Sequence, residues 1–141
     1  MVYSLCGGDL IADMLYSVQS QKDIEYFLEQ TNGLHDGYLV GVQYVHRGYE
    51  GGDSCRIDPT LSELRIRYMV TSICDAVVEL VFIALDKWQI KDAAMDVTDV
   101  SISMEEDGKI LWADCHSTLP EIRKSCSYVV AKEMKWRFIH E

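Results

Sequence analysis

The feature that most constrains the fold of this chain is a series of segments in which large apolar residues occupy every second position. In the clearest of them, LRIRYMV at residues 64–70, apolar side chains alternate with two arginines. A period of two places successive side chains on opposite faces of an extended chain, so that one face can be buried while the other stays in water. The same alternation recurs at residues 38–44, 100–104, 110–112 and 128–139. Each of these segments is a predicted β-strand.

Residues 76–85, AVVELVFIAL, are nearly all apolar, with Glu79 as the exception. Their β-branched content favours a central strand covered on both faces, and a buried helix is the competing interpretation. The dipeptide Asp107-Gly108 stands between two alternating segments and predicts a hairpin with a type I′ turn. No helical pattern separates the strands, so parallel βαβ units are not expected.

The N-terminal part of the chain has the apolar spacing of a helix. Four apolar residues would share one helical face, and they are Ile11, Met14, Leu15 and Val18. Ser20 followed by Asp23 resembles a variant of the capping box that opens a helix or a new turn. Asn32-Gly33 marks the end, because both residues tolerate the left-handed conformation. We therefore predict helix over residues 9–31, as one bent helix or two.

These patterns predict one α+β domain over residues 1–141, helical over residues 9–31 and mainly β over residues 38–139. The N-terminal helix is expected to pack on an antiparallel β-sheet meander of about six strands, for which a curled or barrel-like sheet is one form. Residues 46–60 contain several turn-forming residues and are predicted to be a long loop. A chain of 141 residues can bury a core without a metal or a disulfide.

The net charge indicates which classes of partner the chain is expected to bind. The chain has 13 basic and 23 acidic residues, which gives a formal charge of −10. Nucleic-acid binding draws on clustered lysines and arginines, so no nucleic-acid partner is expected. The charge permits a basic protein partner, because a negative field would accelerate its approach, and the alternative is that the charge only maintains solubility. No apolar run reaches the roughly 20 residues that cross a bilayer, so no membrane contact is predicted.

Two short basic pairs could form stripes on the faces of the sheet. On an acidic chain we expect them to pair with neighbouring carboxylates across the strands. The basic residues are Arg65, Arg67, Lys135 and Arg137, and the neighbouring acids are Glu63, Glu79 and Glu133.

The cysteines are odd in number and scattered, at Cys6, Cys55, Cys74, Cys115 and Cys126. No pair has the C-x-x-C spacing of zinc or thioredoxin-like sites. Scattered thiols are typical of a reducing cytosol, and the N-terminus lacks the basic and apolar regions of a signal peptide. We expect a cytoplasmic protein without a metal or a cofactor.

His35-Asp36 is the first candidate binding site, at the junction between the helix and the first long strand. A carboxylate next to an imidazole can orient it, raise its pKa or help to bind a metal. The alternative is a turn in which Asp36 bonds to the backbone ahead of Gly37.

Trp112 and Asp114 form the second candidate, at a strand end followed by Cys115 and His116. Cysteine, histidine and aspartate can act as nucleophile, base and orienting group, although neighbours in sequence do not supply that geometry. The alternative is a strand end that enters a polar loop. Neither a catalytic residue nor a metal ligand is assigned, because no metal-binding spacing occurs.

Several motifs occur in a characteristic order, namely LHDGYLVGVQY, LRIRYMV, AVVELVFIAL, DGKILWAD and SYVVAKEMKWRFI. This order, over roughly residues 24–139, resembles a family of small bacterial domains of unknown function. Its members have an aromatic or Leu-His-Asp start, a W-A-D strand end and a C-terminal K-W-R strand. The build is also similar to that of immunity proteins of bacterial toxin systems, and that resemblance implies an interaction role.

Three functions follow from the sequence. The first is a non-enzymatic interaction or immunity-like module that neutralises a basic partner. The second is a small metal-dependent hydrolase that uses His35, Asp36 and Asp114. The third is a structural homo-oligomer that pairs through an exposed edge strand.

Overall fold

The computed structural model describes residues 14–51, 56–71, 76–91, 100–115 and 126–139, and the backbone strands at residues 2–5 and 8–11. The strands are β1 (Val2–Leu5), β2 (Gly8–Ile11), β3 (Tyr16–Val18), β4 (Gly37–His46), β5 (Tyr49–Glu50), β6 (Arg56–Ile57), β7 (Ser62–Val70), β8 (Ala76–Gln89), β9 (Ser101–Met104), β10 (Ile110–Ala113) and β11 (Tyr128–Ile139). The helix α1 spans Gln21–Thr31, and short 3-10 turns lie at Asn32–Leu34 and Pro59–Leu61. No helix in the described part of the chain is long and apolar enough to cross a membrane.

Seven strands form one antiparallel sheet, in the order β4-β7-β8-β11-β10-β9, with β3 beside β11. The sheet is open, with β4 at one edge, and β8 lies between β7 and β11 as the predicted central strand. The α+β prediction is confirmed, with seven strands in place of about six. Two smaller two-stranded ribbons are β1-β2 and β5-β6, and the second lies within the segment predicted as a loop.

The predicted helix over residues 9–31 is wrong in its first half. Residues 9–11 belong to β2 and residues 16–18 to β3, so strands precede the helix and it is not N-terminal. Val18 is buried opposite Met134 of β11, which explains an apolar residue that the sequence pattern assigned to a helical face. The helix begins after Ser20, whose side chain accepts the backbone N–H of Asp23. This cap satisfies a backbone N–H group at the start of the helix, so the helix can begin here. The residues before Ser20 are then available for strand pairing.

The end of the helix follows the prediction. Asn32 adopts the left-handed conformation with φ of 52°, and Gly33 follows with φ of 62°. The tight turn continues to Gly37, where an added Cβ would lie 2.7 Å from the carbonyl oxygen of Leu34. Only glycine fits this close approach, so the turn fixes where β4 begins.

The core lies between α1 and the inner face of the sheet. Phe27 of the helix packs edge-on against Trp136 of β11, at 5.3 Å between ring centroids. The predicted inner faces of two strands are confirmed, because all their members are buried. These residues are Leu64, Ile66, Tyr68 and Val70 on β7, and Met134, Trp136 and Phe138 on β11.

The sheet bends sharply near the end of β8. Ala84 has a φ of 59°, and the pairing of β8 with β11 shifts in register between Val130 and Ala131. After the bend, the backbone N–H of Leu85 donates to the Ser62 hydroxyl at 2.9 Å. Bulges increase local twist and bend a strand, so the end of β8 turns towards the inner face.

The hairpin predicted at Asp107-Gly108 is present between β9 and β10. Its turn type differs from the prediction, because Gly108 has a φ of 86° whereas Asp107 has none in the positive range. Gly108 donates its N–H to the carbonyl of Glu105, and Glu105 donates to that of Lys109. This is a type I turn followed by a left-handed glycine, which a three-residue hairpin loop favours over type I′.

Candidate functional site

His35 and Asp36 lie in the tight turn between the helix and β4. Their side chains are roughly half exposed, and His35 Nε2 lies 3.7 Å from Asp36 Oδ2. That separation exceeds a hydrogen bond, so the carboxylate does not hold the ring in one orientation. Asp36 has a φ of 58°, which fits its position in a turn. The binding role of this pair stays a prediction.

Trp112 is fully buried in the core, in contact with the rings of Tyr68 and Phe82 at 6.1 and 5.8 Å. Its indole Nε1–H has no hydrogen-bond partner in the described structure. Trp112 therefore lies inside the core. A partner could contact it, as predicted, only if the core opened.

Asp114 follows at the end of β10, beside a disulfide between Cys115 and Cys126 with 6.2 Å between their Cα atoms. Asp114 Oδ1 accepts the backbone N–H of Ser127 at 2.9 Å, and burial raises the pKa of this carboxyl. The disulfide corrects the expectation that all five cysteines are thiols. His116, the other member of the proposed catalytic group, lies outside the described residues.

The candidate residues do not form one site. His35 and Asp36 precede β4, whereas Asp114 follows β10, and β7, β8 and β11 lie between these strands. Within the described residues, the group of side chains close enough to share a metal ion is Asp114, Cys115 and Cys126. The sulfur atoms of this group are joined as a disulfide, and thiolates are the form that binds a metal.

Strand β4 is a feature that the choice of polar residues missed. It is ten residues long, and among the described strands it pairs with β7 alone. Its sequence, GYLVGVQYVH, contains no Lys, Arg, Asp, Glu or Pro. Natural sheets protect their edges with charges, prolines or short strands, and β4 has none of these, although a bulge lies between Leu39 and Gly41.

Apolar side chains on β4 are exposed to an unusual degree. Tyr38, Val40, Val42 and Tyr44 are 43%, 54%, 44% and 49% exposed. The ring of Tyr44 stacks on Trp88 at 5.7 Å, because the bend in β8 brings Trp88 across the inner face. We call these five residues the edge surface.

Val42, Tyr44 and Trp88 of the edge surface continue the inner face of the sheet beyond the core, whereas Tyr38 lies opposite Met69 on the outer face because of the bulge between Leu39 and Gly41. Val42 and Tyr44 lie in register with Ile66 and Leu64 of β7, and both β7 residues are fully buried. The inner face is therefore buried core at β7 and exposed apolar surface at the neighbouring strand β4. A contiguous exposed apolar patch marks an interaction site more often than scattered single residues do.

The outer face beside β4 has a buried carboxylate at its centre. Glu79 of β8 is fully buried, and its oxygens accept hydrogen bonds from three arginines. These are Arg65 and Arg67 of β7 and Arg137 of β11, at N···O distances of 2.8–3.1 Å. The prediction that the basic pairs meet neighbouring acids is confirmed for these three residues.

A second carboxylate extends this network towards the edge of the sheet. Glu63 accepts Arg65 at 2.8 Å and lies 3.6 Å from Arg47, and the hydrogen bond from Arg65 lowers the pKa of Glu63. We call these residues the arginine cluster, namely Arg47, Arg65, Arg67, Arg137, Glu63 and Glu79. Four arginines and two glutamates give it a formal charge of +2, within a chain of −10.

The position of β4 at the edge is what the sequence could not reveal. The sequence shows that apolar and polar residues alternate along β4 and that the strand carries no charge, but edge strands and central strands share these signals.

No known family model, curated protein or solved structure matches this chain.

Proposed function

We propose that this protein is a non-enzymatic interaction module that binds an extended segment of a partner protein along β4. The observation that carries the proposal is a ten-residue edge strand without charge or proline, lined by exposed apolar side chains. In an antiparallel pair, alternate residues direct their backbone N–H and C=O groups to the same side. About half of these groups in β4 therefore point away from β7, towards an incoming strand.

The side chains complement this backbone template. Added strands gain affinity from main-chain hydrogen bonds and specificity from pockets for alternate side chains. Val42 and Tyr44, with Trp88 stacked on Tyr44, offer apolar contact on the inner face. Aromatic residues of this kind are enriched at interaction sites because they bury a large area with little loss of conformational freedom.

An immunity-like role, which the resemblance implies, is one form of this function and stays a prediction. The homo-oligomer also stays a prediction, and light scattering of the purified protein tests it. The metal-dependent hydrolase has weaker support, because His35 and Asp36 are separated from Asp114 by three strands. The cytoplasmic location stays a prediction too, and the Cys115–Cys126 disulfide bears on it, because disulfides persist mainly in oxidising compartments.

The test uses a ten-residue peptide in which Val alternates with Gln, N-methylated either at every Val or at every Gln. Each isomer has one edge blocked, so it cannot assemble beyond a pair. Only one isomer presents both its open edge and its Val face to β4 in the antiparallel alignment that the rest of the sheet uses, and the other could do so only in a parallel alignment. Calorimetry should show binding of one isomer alone. Equal binding of both isomers would indicate non-specific apolar contact and contradict the proposal.

Matched variants locate the site. Val42→Lys places a charge on the exposed inner side of β4, a device by which natural sheets block edge pairing. Met104→Lys makes the same change on β9, where Met104 is 40% exposed. Val42→Lys should abolish peptide binding while Met104→Lys retains it. Retained binding in Val42→Lys, with its fold intact by circular dichroism, would remove β4 as the site.

A further inference from the structure

The disulfide between Cys115 and Cys126 lies just beyond the ends of β10 and β11. The register of the two strands continues past their last pair, because the backbone N–H of Asp114 donates to the carbonyl of Ser127 at 3.0 Å. The two cysteines are the next pair outward in this register. They therefore face each other across two neighbouring segments of the chain.

The carboxylate of Asp114 belongs to the same group. Neighbouring residues of an extended chain normally point to opposite faces. The Asp114 side chain instead folds back along the backbone, where its Oδ1 accepts the N–H of Ser127 at 2.9 Å. One ligand atom from each of Asp114, Cys115 and Cys126 then lies within 4.8 Å of the others. Two sulfur atoms and a carboxylate oxygen thus share one small volume.

The backbone on both sides of this group is held by hydrogen bonds that do not involve the disulfide. The Ser101 hydroxyl of β9 donates to the carbonyl of Cys115 at 2.7 Å. The Gln89 amide of β8 donates to the carbonyl of Cys126 at 3.0 Å. We therefore expect the two sulfur atoms to stay close together after the bond between them is broken.

Reduction turns this group into a set of zinc ligands. Zinc accepts thiolates at about 2.3 Å and carboxylate oxygens at about 2.0–2.2 Å, in a tetrahedral arrangement that needs the sulfurs about 3.8 Å apart. A disulfide holds them about 2.0 Å apart. Rotation of the cysteine side chains supplies the difference, on a backbone with 6.2 Å between the Cα atoms. Calcium and magnesium prefer oxygen ligands, so zinc is the cation that this set selects.

From this geometry we propose that Cys115, Cys126 and Asp114 form a redox-controlled zinc site. The oxidised cysteines are a disulfide, and the reduced cysteines bind Zn²⁺ together with the carboxylate. The ends of β10 and β11 are then cross-linked in both states, by a covalent bond in an oxidising compartment and by zinc in a reducing one. Strands β7, β8 and β11 separate the site from β4, and the site does not depend on strand pairing there.

The conversion uses a dithiol as the reductant. Its first thiolate attacks the sulfur of Cys115, which is partly exposed, whereas Cys126 is 5% exposed. The S–S bond breaks, Cys126 leaves as a thiolate, and the second thiol of the reductant displaces Cys115 from the mixed disulfide. The reductant departs as its own disulfide, and its two electrons and two protons stay on the cysteines. Zn²⁺ then replaces those two protons, which pass to the solvent.

The experiment measures the zinc bound to the oxidised and the reduced protein. An immobilised dithiol reduces half of a sample and is filtered off without oxygen, so that it does not compete for the metal. Both halves receive Zn²⁺, pass through gel filtration and are analysed for metal. The oxidised half has the same carboxylates and controls for weak binding to a chain of charge −10. We expect zinc on the reduced protein alone.

Cysteine variants assign the metal to this pair. Cys126→Ser should lose one zinc per chain relative to the reduced wild type. The combined replacement Cys6→Ser, Cys55→Ser and Cys74→Ser removes the other three cysteines and should keep that zinc. Cobalt in place of zinc should give a thiolate-to-metal charge-transfer band in the reduced wild type, and Cys126→Ser should lose it.

Asp114→Asn tests the third ligand without removing a sulfur. Competition with a chromophoric chelator should show a loss of zinc affinity of about 100-fold or more, because the loss of an outer-shell partner alone costs about 10–100-fold. Glu106→Gln makes the same change in net charge at an exposed position of the β9–β10 hairpin and should leave the affinity unchanged. Circular dichroism verifies that each variant is folded.

The outcomes decide the proposal independently of the peptide tests at β4. Equal zinc on the oxidised and the reduced wild type would overturn it, and that comparison needs no variant. Zinc retained in full by folded Cys126→Ser would assign the metal to other residues. An unchanged affinity in Asp114→Asn would remove the carboxylate and with it the three-ligand site.

Discussion

Replacing the buried Glu79 by Gln should be among the most destabilising single changes in this protein. The carboxylate accepts two hydrogen bonds on Oε1, from Arg65 and Arg137, and one on Oε2, from Arg67, and Nη2 of Arg137 lies 2.9 Å from Oε1. An amide in the same position keeps an acceptor for the two bonds on Oε1 and directs its own N–H groups at Arg67. One charge-assisted bond, about 1.5–3 kcal/mol, is lost outright, and the others lose the charge on their acceptor.

The arginines limit the total cost, because their side chains are 24–43% exposed and regain some hydration. Breaking a buried ion pair typically costs about 3–5 kcal/mol, and we expect Glu79→Gln to fall in that range. For a domain of this size that corresponds to a fall in Tm of about 10–15 °C.

Urea unfolding at neutral pH measures the change, with Glu133→Gln as the matched control. Glu133 is an exposed residue of β11, and its replacement should alter the free energy of unfolding by less than about 0.5 kcal/mol. If Glu79→Gln costs no more than Glu133→Gln, the arginines are not held by Glu79 and the described network is wrong.

Three further predictions concern other parts of the fold. Replacing Cys115 and Cys126 by Ser should lower the free energy of unfolding by about 3 kcal/mol in urea, because the disulfide closes a short loop between residues 11 apart; peptide mapping of the non-reduced protein should find these two cysteines linked, and free thiols at both positions would contradict the assignment. Gly37→Ala should cost about 1–3 kcal/mol in the same assay, since its Cβ would overlap the carbonyl of Leu34, and an unchanged stability would refute that close approach. Burial raises the pKa of Asp114, so the folded state favours the protonated acid, and this contribution to stability is present below about pH 4 and lost as pH rises through the folded pKa; Asp114→Asn should therefore gain stability relative to wild type from pH 3 to pH 7, and a constant difference would contradict the shift.

The strands after residue 37 were predictable because their alternation is carried by residues that the core buries. Strand β11 matches the predicted range of 128–139, since Trp136 and its neighbours face inward at every second position. The first twenty residues were not predictable in the same way. A strand as short as β3 contributes one buried residue, Val18, and a single apolar position has no period.

The candidate site depended on information that a sequence does not carry locally. Glu79 meets Arg67 and Arg137 because β7, β8 and β11 are adjacent, and these residues are 12 and 58 positions away from it. The pairing of the arginines with neighbouring acids could be predicted from the sequence, whereas their convergence on one carboxylate follows from the order of the strands. The same strand order places β4 at the edge and turns an ordinary alternating segment into an exposed surface.

Amide hydrogen exchange of β4 tests the strand-pairing function most directly, when it is measured with and without the isomer of the Val–Gln peptide that binds. In the unliganded protein, alternate amides of β4 that point away from β7 should exchange quickly, because no described strand accepts them. The peptide should slow the exchange of that alternate set and leave the amides of β9 unchanged. Binding without any added protection in β4 would contradict the account.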